Sequence, residues 1–465
     1  MGNHLLVTIE CLRSDHVSGL GYHKKTTPFL DRLIEDGIAF QNAYSVSTWT
    51  APSLLSILTS SYPLRYKGKM GKARANIAQV FEENGFNTFA FGSSRIGKLR
   101  SCRQGFQNLR NKDCKMSERS EGFGISPDLP HLSWIRDFWR NNFVIHRVDE
   151  TSRETVARLL RALEGEEGPF FAWIHMNDPH RPYLVGKESL SVFQFSQFRA
   201  NFAAKKLSPQ QKKKNLTFRD RVKFHIGKSL ANKETMRNMV DLYDREIRLA
   251  DRAIGMLFEG LRKEGKLHDT TFYITADHGE GFMEHGLLGH GPGERPRLYN
   301  ELLQVPLVVW NAENQHERIR ENVSLIDLSP TICDFASLST PSHFAGKTLR
   351  RFFNGRKSAS DGEIFCESST IGWQRFAPEK AIIAVISGDY KYIWKSKGKD
   401  ELYNLKEDSG EKENILNERK DMASKLRVKI DKHLEEVRKR GTKEEKERIK
   451  KSLSDLGAVR NREVN

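Results

Sequence analysis

Long apolar runs are missing from this chain of 465 residues. No stretch reaches the roughly 18 to 20 consecutive apolar residues of a transmembrane segment, so we expect no membrane-spanning helix. The amino end also lacks room for a secretory signal, because a strand-like run begins at His4. These absences predict a cytoplasmic protein.

Cysteine is scarce, and its spacing is irregular. The five cysteines are odd in number and lie far apart: Cys11, Cys102, Cys114, Cys333 and Cys366. A disulfide framework or a cysteine-rich zinc site would show paired spacings instead. The pattern therefore favours a reduced protein, which agrees with a cytoplasmic location.

Nucleic-acid-binding motifs are also absent, although the net charge is +16. Residues 205–228 carry nine Lys or Arg against one acid, and residues 438–451 mix Lys and Arg with Glu. Such surfaces are either simply solvated, or they steer an anionic substrate or contact acidic lipid or another polyanion. We therefore expect an anionic substrate and no nucleic-acid partner, with peripheral contact to acidic lipid or polyanion left open.

Strand-like runs alternate with helical patterns over most of the chain. Helices are predicted at 53–60, 236–261 and 417–437, and strands at 4–9, 87–91, 169–175, 271–276 and 305–310. This alternation predicts an α/β fold, with helices on both faces of a large, mainly parallel sheet. Short alternating runs at 381–386 and 391–395 predict a small antiparallel sheet.

These patterns predict a division of the chain into three parts. Residues 1–377 form a catalytic α/β domain, in which the polar and basic stretch 184–233 is an insertion or lid. Residues 378–437 form the small carboxyl-terminal sheet and helix. Residues 438–465 form a charged tail.

Polar residues stand at the ends of three separate elements. Glu10 follows the first predicted strand, Asp277 and His278 follow the strand at 271–276, and Thr50 precedes the helix at 53–60. Open α/β sheets bind their ligands at the carboxyl ends of strands. The carboxylates and the imidazole are therefore candidates for a common site.

The segments around these residues resemble those of the sulfatase family in the alkaline phosphatase superfamily. The similarity runs in order through most of the chain, in 9–16, 49–53, 173–175, 178–183, 276–280, 284–286, 289–291, 298–307, 388–393 and 401–405. The resemblance implies an alkaline-phosphatase-like sandwich with a small terminal sheet. It also implies hydrolysis of an anionic ester.

An anionic ester must be held, neutralised and attacked by an activated nucleophile. The resemblance makes Glu10, Thr50, Asp277 and His278 the ligands of a divalent cation. Mixed oxygen and nitrogen ligands favour Mn²⁺ or Zn²⁺, while Ca²⁺ stays possible.

Several positions depart from the sulfatase pattern. Sulfatases carry Cys or Ser at the position of Thr50, and they oxidise it to formylglycine, which Thr cannot form. Leu54 replaces the usual Arg, and Cys11 stands where many members place a second metal-binding Asp. Thr50 is therefore expected to attack directly and without formylglycine, as in the superfamily's phosphoesterases, phosphonate hydrolases and phosphoglycerol or phosphoethanolamine transferases.

Four histidines are candidates for contact with the substrate or its surroundings. By resemblance, His180 contacts the non-bridging oxygens or protonates the leaving group, and His290 binds the ester oxygens. Both are predicted to be catalytic and substrate-binding. His175 is also placed among the substrate-binding residues, although His175 and His285 could instead orient neighbours or fill a second metal position.

The predicted function is metal-dependent hydrolysis of phosphate, phosphonate or sulfate esters through a covalent Thr50 intermediate. Phosphoryl chemistry is favoured over sulfate-ester hydrolysis. Two alternatives stay open: a phosphoglycerol or phosphoethanolamine transferase, and a non-catalytic protein that uses the same fold to bind polyanions.

Overall fold

A computed structural model of the chain describes a large set of its residues. These are 2–66, 75–92, 103–109, 151–180, 183, 233–286, 288–290, 297–312, 316–353, 362–369 and 380–439. Within them lie two β-sheets with helices packed against them. In these ranges, no helix combines the length and apolar composition of a membrane span.

The larger sheet has seven strands in the order β3-β4-β1-β5-β6-β2-β7. Their bounds are β1 Asn3–Ile9, β2 Ile38–Tyr44, β3 Asn87–Gly92, β4 Phe170–Met176, β5 Thr270–Ala276, β6 Gln304–Trp310 and β7 Glu317–Ser324. Strand β6 runs antiparallel to β5 and β2, and the other neighbouring pairs are parallel. The expected mainly parallel α/β sheet is confirmed.

The register of the three central strands brings their carboxyl ends together. Ile9, the last residue of β1, pairs with Met176 on β4 and with Ala276 on β5. The next residues, Glu10 and Asp277, therefore leave the sheet at the same edge. This edge carries the candidate site.

Helices pack against both sheets. Their bounds are α1 Pro28–Glu35, α2 Thr50–Thr59, α3 Pro63–Tyr66, α4 Ile77–Glu83, α5 Ser152–Leu163, α6 Lys233–Lys263, α7 Asn300–Leu303, α8 Leu328–Phe335 and α9 Lys420–Lys439. Short 3-10 helices occur at Ser14–His16, Ser18–Leu20, Gln107–Leu109, Leu325–Asp327 and Leu349–Phe352. The long helix predicted at 236–261 is α6, which buries Tyr243, Ile247, Ile254 and Leu261.

The predicted start of α2 was wrong by three residues. The helix begins at Thr50, and its first i to i−4 bond joins Ser53 N to Trp49 O. Pro52 is tolerated because the first N–H groups of a helix have no partner inside it. Ser53 lies within the helix and does not cap it, since its hydroxyl donates to Ser47 O at 3.0 Å.

The smaller sheet is antiparallel, in the order β11-β10-β9-β8, as expected. Its strands are β8 Ile364–Ser369, β9 Ala381–Ser387, β10 Tyr390–Lys395 and β11 Glu401–Asn404, and α9 packs against β9 and β10. Glu367 N on β8 donates to Val46 O at 2.7 Å, and the Trp49 side chain shares a core with Ile383 and Trp394. The small sheet therefore supports the segment that leads into Thr50.

Two of the predicted parts lie mostly outside the described residues. Of the basic insertion at 184–233, only Lys233, the first residue of α6, is described. Of the tail at 438–465, only the last two residues of α9 are described. The division into three parts stays a prediction.

A buried ion pair ties the small sheet to α7. Lys391 Nζ lies 2.8 Å from Glu411 Oε1, with side-chain exposures of 0% and 1%, and it donates to Asn300 Oδ1 at 2.9 Å. Replacing Lys391 by Met leaves Glu411 buried without its cation. We expect Lys391→Met to lower the free energy of unfolding by about 3 to 5 kcal/mol in urea denaturation.

The matched control is Lys397→Met, because Lys397 is exposed on the turn after β10. It should change the unfolding free energy by no more than about 0.5 kcal/mol. Equal effects of the two substitutions would contradict this account of the pair.

Candidate active site

Glu10 and Thr50 meet at the carboxyl edge of the large sheet. Glu10 is fully buried directly after β1, and Thr50 is the first residue of α2, with 9% of its surface exposed. The Thr50 hydroxyl donates to Glu10 Oε1 at 2.8 Å. The carboxylate is thus placed to accept the proton of this hydroxyl.

Asp277 follows β5 and is also fully buried. Its Oδ1 accepts hydrogen bonds from Cys11 N at 3.1 Å and His278 N at 2.9 Å. Among the residues that the structure describes, none forms a hydrogen bond to its Oδ2. A buried carboxylate oxygen without a donor is unfavourable unless a cation satisfies it.

The turn after His278 needs a glycine. A Cβ atom on Gly279 would lie 2.1 Å from Glu301 O, so the backbones approach too closely for any side chain. Gly279 N donates to Leu302 O at 2.9 Å. This close packing holds the Asp277-His278 segment against the residues before β6.

The tautomer of His278 follows from its hydrogen bonds. Nδ1 lies 2.8 Å from Gly279 O, a carbonyl that can only accept, so Nδ1 carries the hydrogen. Nε2 then presents a lone pair, 3.3 Å from Thr50 Oγ1 and 3.3 Å from Asp277 Oδ2. Burial lowers the pKa of His278, with the nearby Asp277 and Glu10 charges opposing, so the ring is neutral at pH 7.

These residues fit a divalent cation. Ligand atoms from Glu10, Asp277 and His278 all lie within 4.8 Å of one another. Carboxylate oxygens and an imidazole lone pair held this close together are the ligand types that a divalent cation binds. Metal binding itself stays a prediction.

A second group lies beside the first. Ligand atoms of Glu10, Cys11, His180 and His290 also lie within 4.8 Å of one another. His180 Nε2 is 3.6 Å from Glu10 Oε1. The ring centroid of His290 lies 4.4 Å from that of His278 and 5.1 Å from that of His180. With side-chain exposures of 15% and 11%, His180 and His290 stand where an ester could reach them.

His175 lies behind Glu10. It is fully buried, with Nε2 3.2 Å from Glu10 Oε2 and Nδ1 2.9 Å from Thr8 Oγ1. Both ring nitrogens are therefore used within the protein, which leaves no atom for a substrate. Of the three roles predicted for His175, substrate binding does not fit this position, and orientation of a neighbour does.

His285 holds the carboxyl-terminal region. Its Nδ1 lies 2.8 Å from Glu301 Oε1, and its Nε2 lies 3.0 Å from Glu411 O. Burial lowers the pKa of His285, but the Glu301 carboxylate outweighs burial, and the net shift is upward. It contacts neighbours and belongs to neither cation group among the described residues.

Arg13, Asp15 and Tyr243 hold the loop after β1. Arg13 forms a bidentate pair with Asp15 at 2.8 and 2.7 Å, and contacts Glu284. Tyr243 on α6 was not predicted as a site residue, because its position matched the apolar face of that helix. Its hydroxyl donates to Cys11 O at 2.6 Å and accepts from Arg13 N at 2.9 Å.

Comparison with known proteins gives consistent matches along the chain. The family model described as Sulfatase matches residues 2–338, and that of the N-sulphoglucosamine sulphohydrolase carboxyl-terminal region matches residues 289–440. An arylsulfatase of Clostridium perfringens is 25% identical over 472 residues, covering 92% of this chain and 94% of that protein.

Solved structures share the fold. The phosphonate monoester hydrolase of Agrobacterium radiobacter matches with a TM-score of 0.66 and 19% identity, covering 94% of this chain and 95% of its own. A structure solved in complex with its substrate D-glucosamine-2-N,6-O-disulfate matches with a TM-score of 0.65 and 17% identity, covering 94% and 98%. These likenesses confirm the alkaline-phosphatase-like architecture.

Asp277→Asn tests the cation site. The amide keeps the shape of the side chain but removes its charge. Loss of a residue that only supports a metal ligand lowers metal affinity by up to about 100-fold. Loss of a direct ligand should therefore lower the affinity for Mn²⁺ or Zn²⁺ by more than about 100-fold. Calorimetric titration of metal-free protein measures this affinity. Without metal, the variant should be at least as stable as the parent, because a buried unsatisfied charge is removed.

The control is Asp36→Asn, since Asp36 is exposed after α1. It should leave the affinity for metal unchanged. Unaltered binding in Asp277→Asn would show that Asp277 is not a ligand.

Proposed function

Since the chain belongs to the sulfatase family of ester hydrolases, we propose that it cleaves anionic esters through a covalent intermediate on Thr50. The observation that carries this proposal is the hydrogen bond of the Thr50 hydroxyl to the buried Glu10 carboxylate at 2.8 Å. A hydroxyl held against a carboxylate, with an imidazole nitrogen 3.3 Å away, is placed to lose its proton.

The first half of the reaction transfers the acidic group to Thr50. Thr50 Oγ1 bonds to phosphorus or sulfur while the bond to the alcohol oxygen breaks. The Thr50 proton passes to Glu10 Oε1. The electron pair of the broken bond leaves with the alcohol oxygen, which takes a proton from His180 or His290.

The second half regenerates the enzyme. Water attacks the same phosphorus or sulfur atom, and the bond to Thr50 Oγ1 breaks. Thr50 regains the proton held on Glu10, and the histidine regains a proton from the water. Both halves balance, and no further reactant is needed.

A divalent cation, held by Glu10, Asp277 and His278 beside the Thr50 hydroxyl, would neutralise the ester's charge and acidify that hydroxyl. His175 orients Glu10 through the 3.2 Å contact with Oε2. Such support behind a ligand keeps its oxygens in place. Mn²⁺ or Zn²⁺ is the favoured ion, because the ligands combine carboxylates with an imidazole.

Phosphate and phosphonate esters are the favoured substrates. Thr50 cannot become formylglycine, and Cys11 takes a position at which many sulfatases carry a carboxylate. The site therefore carries one negative charge fewer than in those sulfatases, which favours the approach of a more highly charged phosphoryl group. The similarity to a phosphonate monoester hydrolase supports the same choice.

Sulfate esters are the second candidate. The arylsulfatase of C. perfringens and the disulfated-glucosamine complex support them. In this case Thr50 would attack sulfur directly. The same residues would serve in the same roles.

A substrate panel separates the two candidates. With Mn²⁺ or Zn²⁺ present, 4-nitrophenyl phosphate, phosphodiester and phenylphosphonate should be cleaved with higher kcat/KM than 4-nitrophenyl sulfate. Release of nitrophenol measures all four reactions. Faster cleavage of the sulfate would overturn the preference for phosphoryl substrates.

Thr50→Ala tests the nucleophile. Without the hydroxyl, kcat should fall by at least roughly a thousandfold, equivalent to about 4 kcal/mol of transition-state stabilisation. Thr50→Ser should keep measurable activity because the oxygen remains. Metal content should change little in either variant, since the other three ligands are present.

Thr271→Ala is the matched control. Thr271 lies at the opposite end of β5, where its hydroxyl donates to Asn311 O at 3.3 Å. This variant should keep near-normal rates. Near-normal rates in Thr50→Ala would instead assign the attack to water.

A further inference from the structure

Glu280 ends the Asp277-His278-Gly279-Glu280 motif, yet the reaction above does not use it. It is fully buried. Among the described residues, it belongs to neither group of candidate cation ligands. A buried carboxylate is unfavourable unless donors surround it, so its contacts indicate its role.

The carboxylate of Glu280 is held from two sides. Oε1 accepts from Gly281 N at 3.2 Å, and Oε2 lies 3.5 Å from the Tyr183 hydroxyl. Arg13 Nη1 donates to the Glu280 carbonyl at 3.1 Å. Gly281 N and the Tyr183 hydroxyl therefore hold the Glu280 carboxylate in place. Arg13, in the loop after β1, holds the Glu280 main chain.

Oε1 also lies 3.0 Å from His290 Nδ1. A carboxylate can only accept, so Nδ1 carries the hydrogen and Nε2 is the nitrogen left for the substrate. Cys11 Sγ lies 3.5 Å from the same Nδ1. Since sulfur is a weak acceptor, the carboxylate decides the tautomer.

The His290 ring faces the site. It lies 4.4 Å from the His278 ring and 5.1 Å from the His180 ring, between centroids. His180, by contrast, directs Nε2 to Glu10 Oε1 at 3.6 Å, on the side of the nucleophile. His290 thus differs from His180 in that a carboxylate outside the candidate cation ligands holds its Nδ1, which leaves Nε2 as the nitrogen for the substrate.

We propose that Glu280 is a positioning residue that fixes the His290 ring so that Nε2 protonates the leaving alcohol. This inference rests on the proposed function and assigns the proton donor within it. The ring acts as the donor in its imidazolium form, with Nδ1–H on Glu280 and a second hydrogen on Nε2. As the ester bond breaks, the electron pair stays on the alcohol oxygen, which takes the proton from His290 Nε2 and leaves the neutral Nδ1–H ring. Glu280 keeps its hydrogen bond to Nδ1–H and remains ionised, as an orienting carboxylate does beside a catalytic imidazole.

A series of aryl esters tests the proposal, because protonation matters most for poor leaving groups. The head group is whichever the parent enzyme cleaves fastest, and the leaving groups range from dinitrophenol to phenol. Glu280→Ala should lower kcat/KM for the phenyl ester by about a hundredfold, the low end for general acid catalysis. It should leave the dinitrophenyl ester nearly unchanged.

His290→Asn should show the same dependence on the leaving group. The Glu280→Ala, His290→Asn double variant should be no slower than His290→Asn alone, because both substitutions remove the same proton transfer to the leaving alcohol. Glu264→Ala, at an exposed position after α6, is the control and should match the parent for every ester.

Nitrogen-15 NMR of histidine-labelled protein gives a readout that is independent of turnover. The His290 signals, assigned from their loss in His290→Asn, should show hydrogen on Nδ1 in the parent. That preference should be lost in Glu280→Ala. If Glu280→Ala does not fold, Glu280→Gln keeps the volume and should show a smaller change in the same direction for the phenyl ester.

Three results would overturn the proposal. They are an equal loss for all leaving groups, multiplying losses in the double variant, and a neutral His290 ring in the parent that carries its hydrogen on Nε2 instead of Nδ1. Failure of the proposed function is a separate result, because it would appear as near-normal turnover in Thr50→Ala whatever Glu280→Ala does.

Discussion

The parallel register of β1 with β4 and β5 is the constraint on which the site depends. Ile9 stands in one row with Met176 and Ala276, so the chain leaves three neighbouring strands at the same edge. A shift of one residue would turn the side chains of a strand to the opposite face. Glu10 and Asp277 meet only because this register is kept by strands that are buried on both faces.

The site built on this edge is rich in atoms that accept hydrogen bonds or bind a cation. Glu10, Asp277 and the Nε2 lone pair of His278 converge, while Thr50 supplies one hydroxyl hydrogen. Around them, His175, Tyr243 and Glu280 use their hydrogen bonds to hold the atoms in contact with the site. The small sheet contributes through Trp49, whose side chain packs in its core next to Thr50. A cation and an anionic ester together complement this arrangement.

Much of the fold was predictable, because β1, β4 and β5 are continuous apolar runs and α6 has a regular apolar face. Strands β2 and β7 were missed, since polar residues interrupt them and β2 carries an irregularity between Phe40 and Ala43. Glu10 and Asp277 could be found because each follows directly on a strand, and His278 because it is the next residue after Asp277. The positions of His175 and Glu280 could not, because their partners lie 165 and 10 residues away and depend on tertiary contacts. The start of α2 also escaped prediction, since a proline is acceptable at several positions of a first turn.

The central claim is that the acidic group passes through Thr50, and capture of the intermediate tests it most directly. The enzyme would be quenched in acid during turnover of its best aryl ester, digested, and mapped by mass spectrometry. The account predicts that the peptide containing Thr50 gains the mass of the transferred phosphoryl, phosphonyl or sulfuryl group, and that Thr50→Ser carries the same adduct on Ser. An adduct on another residue would contradict the account.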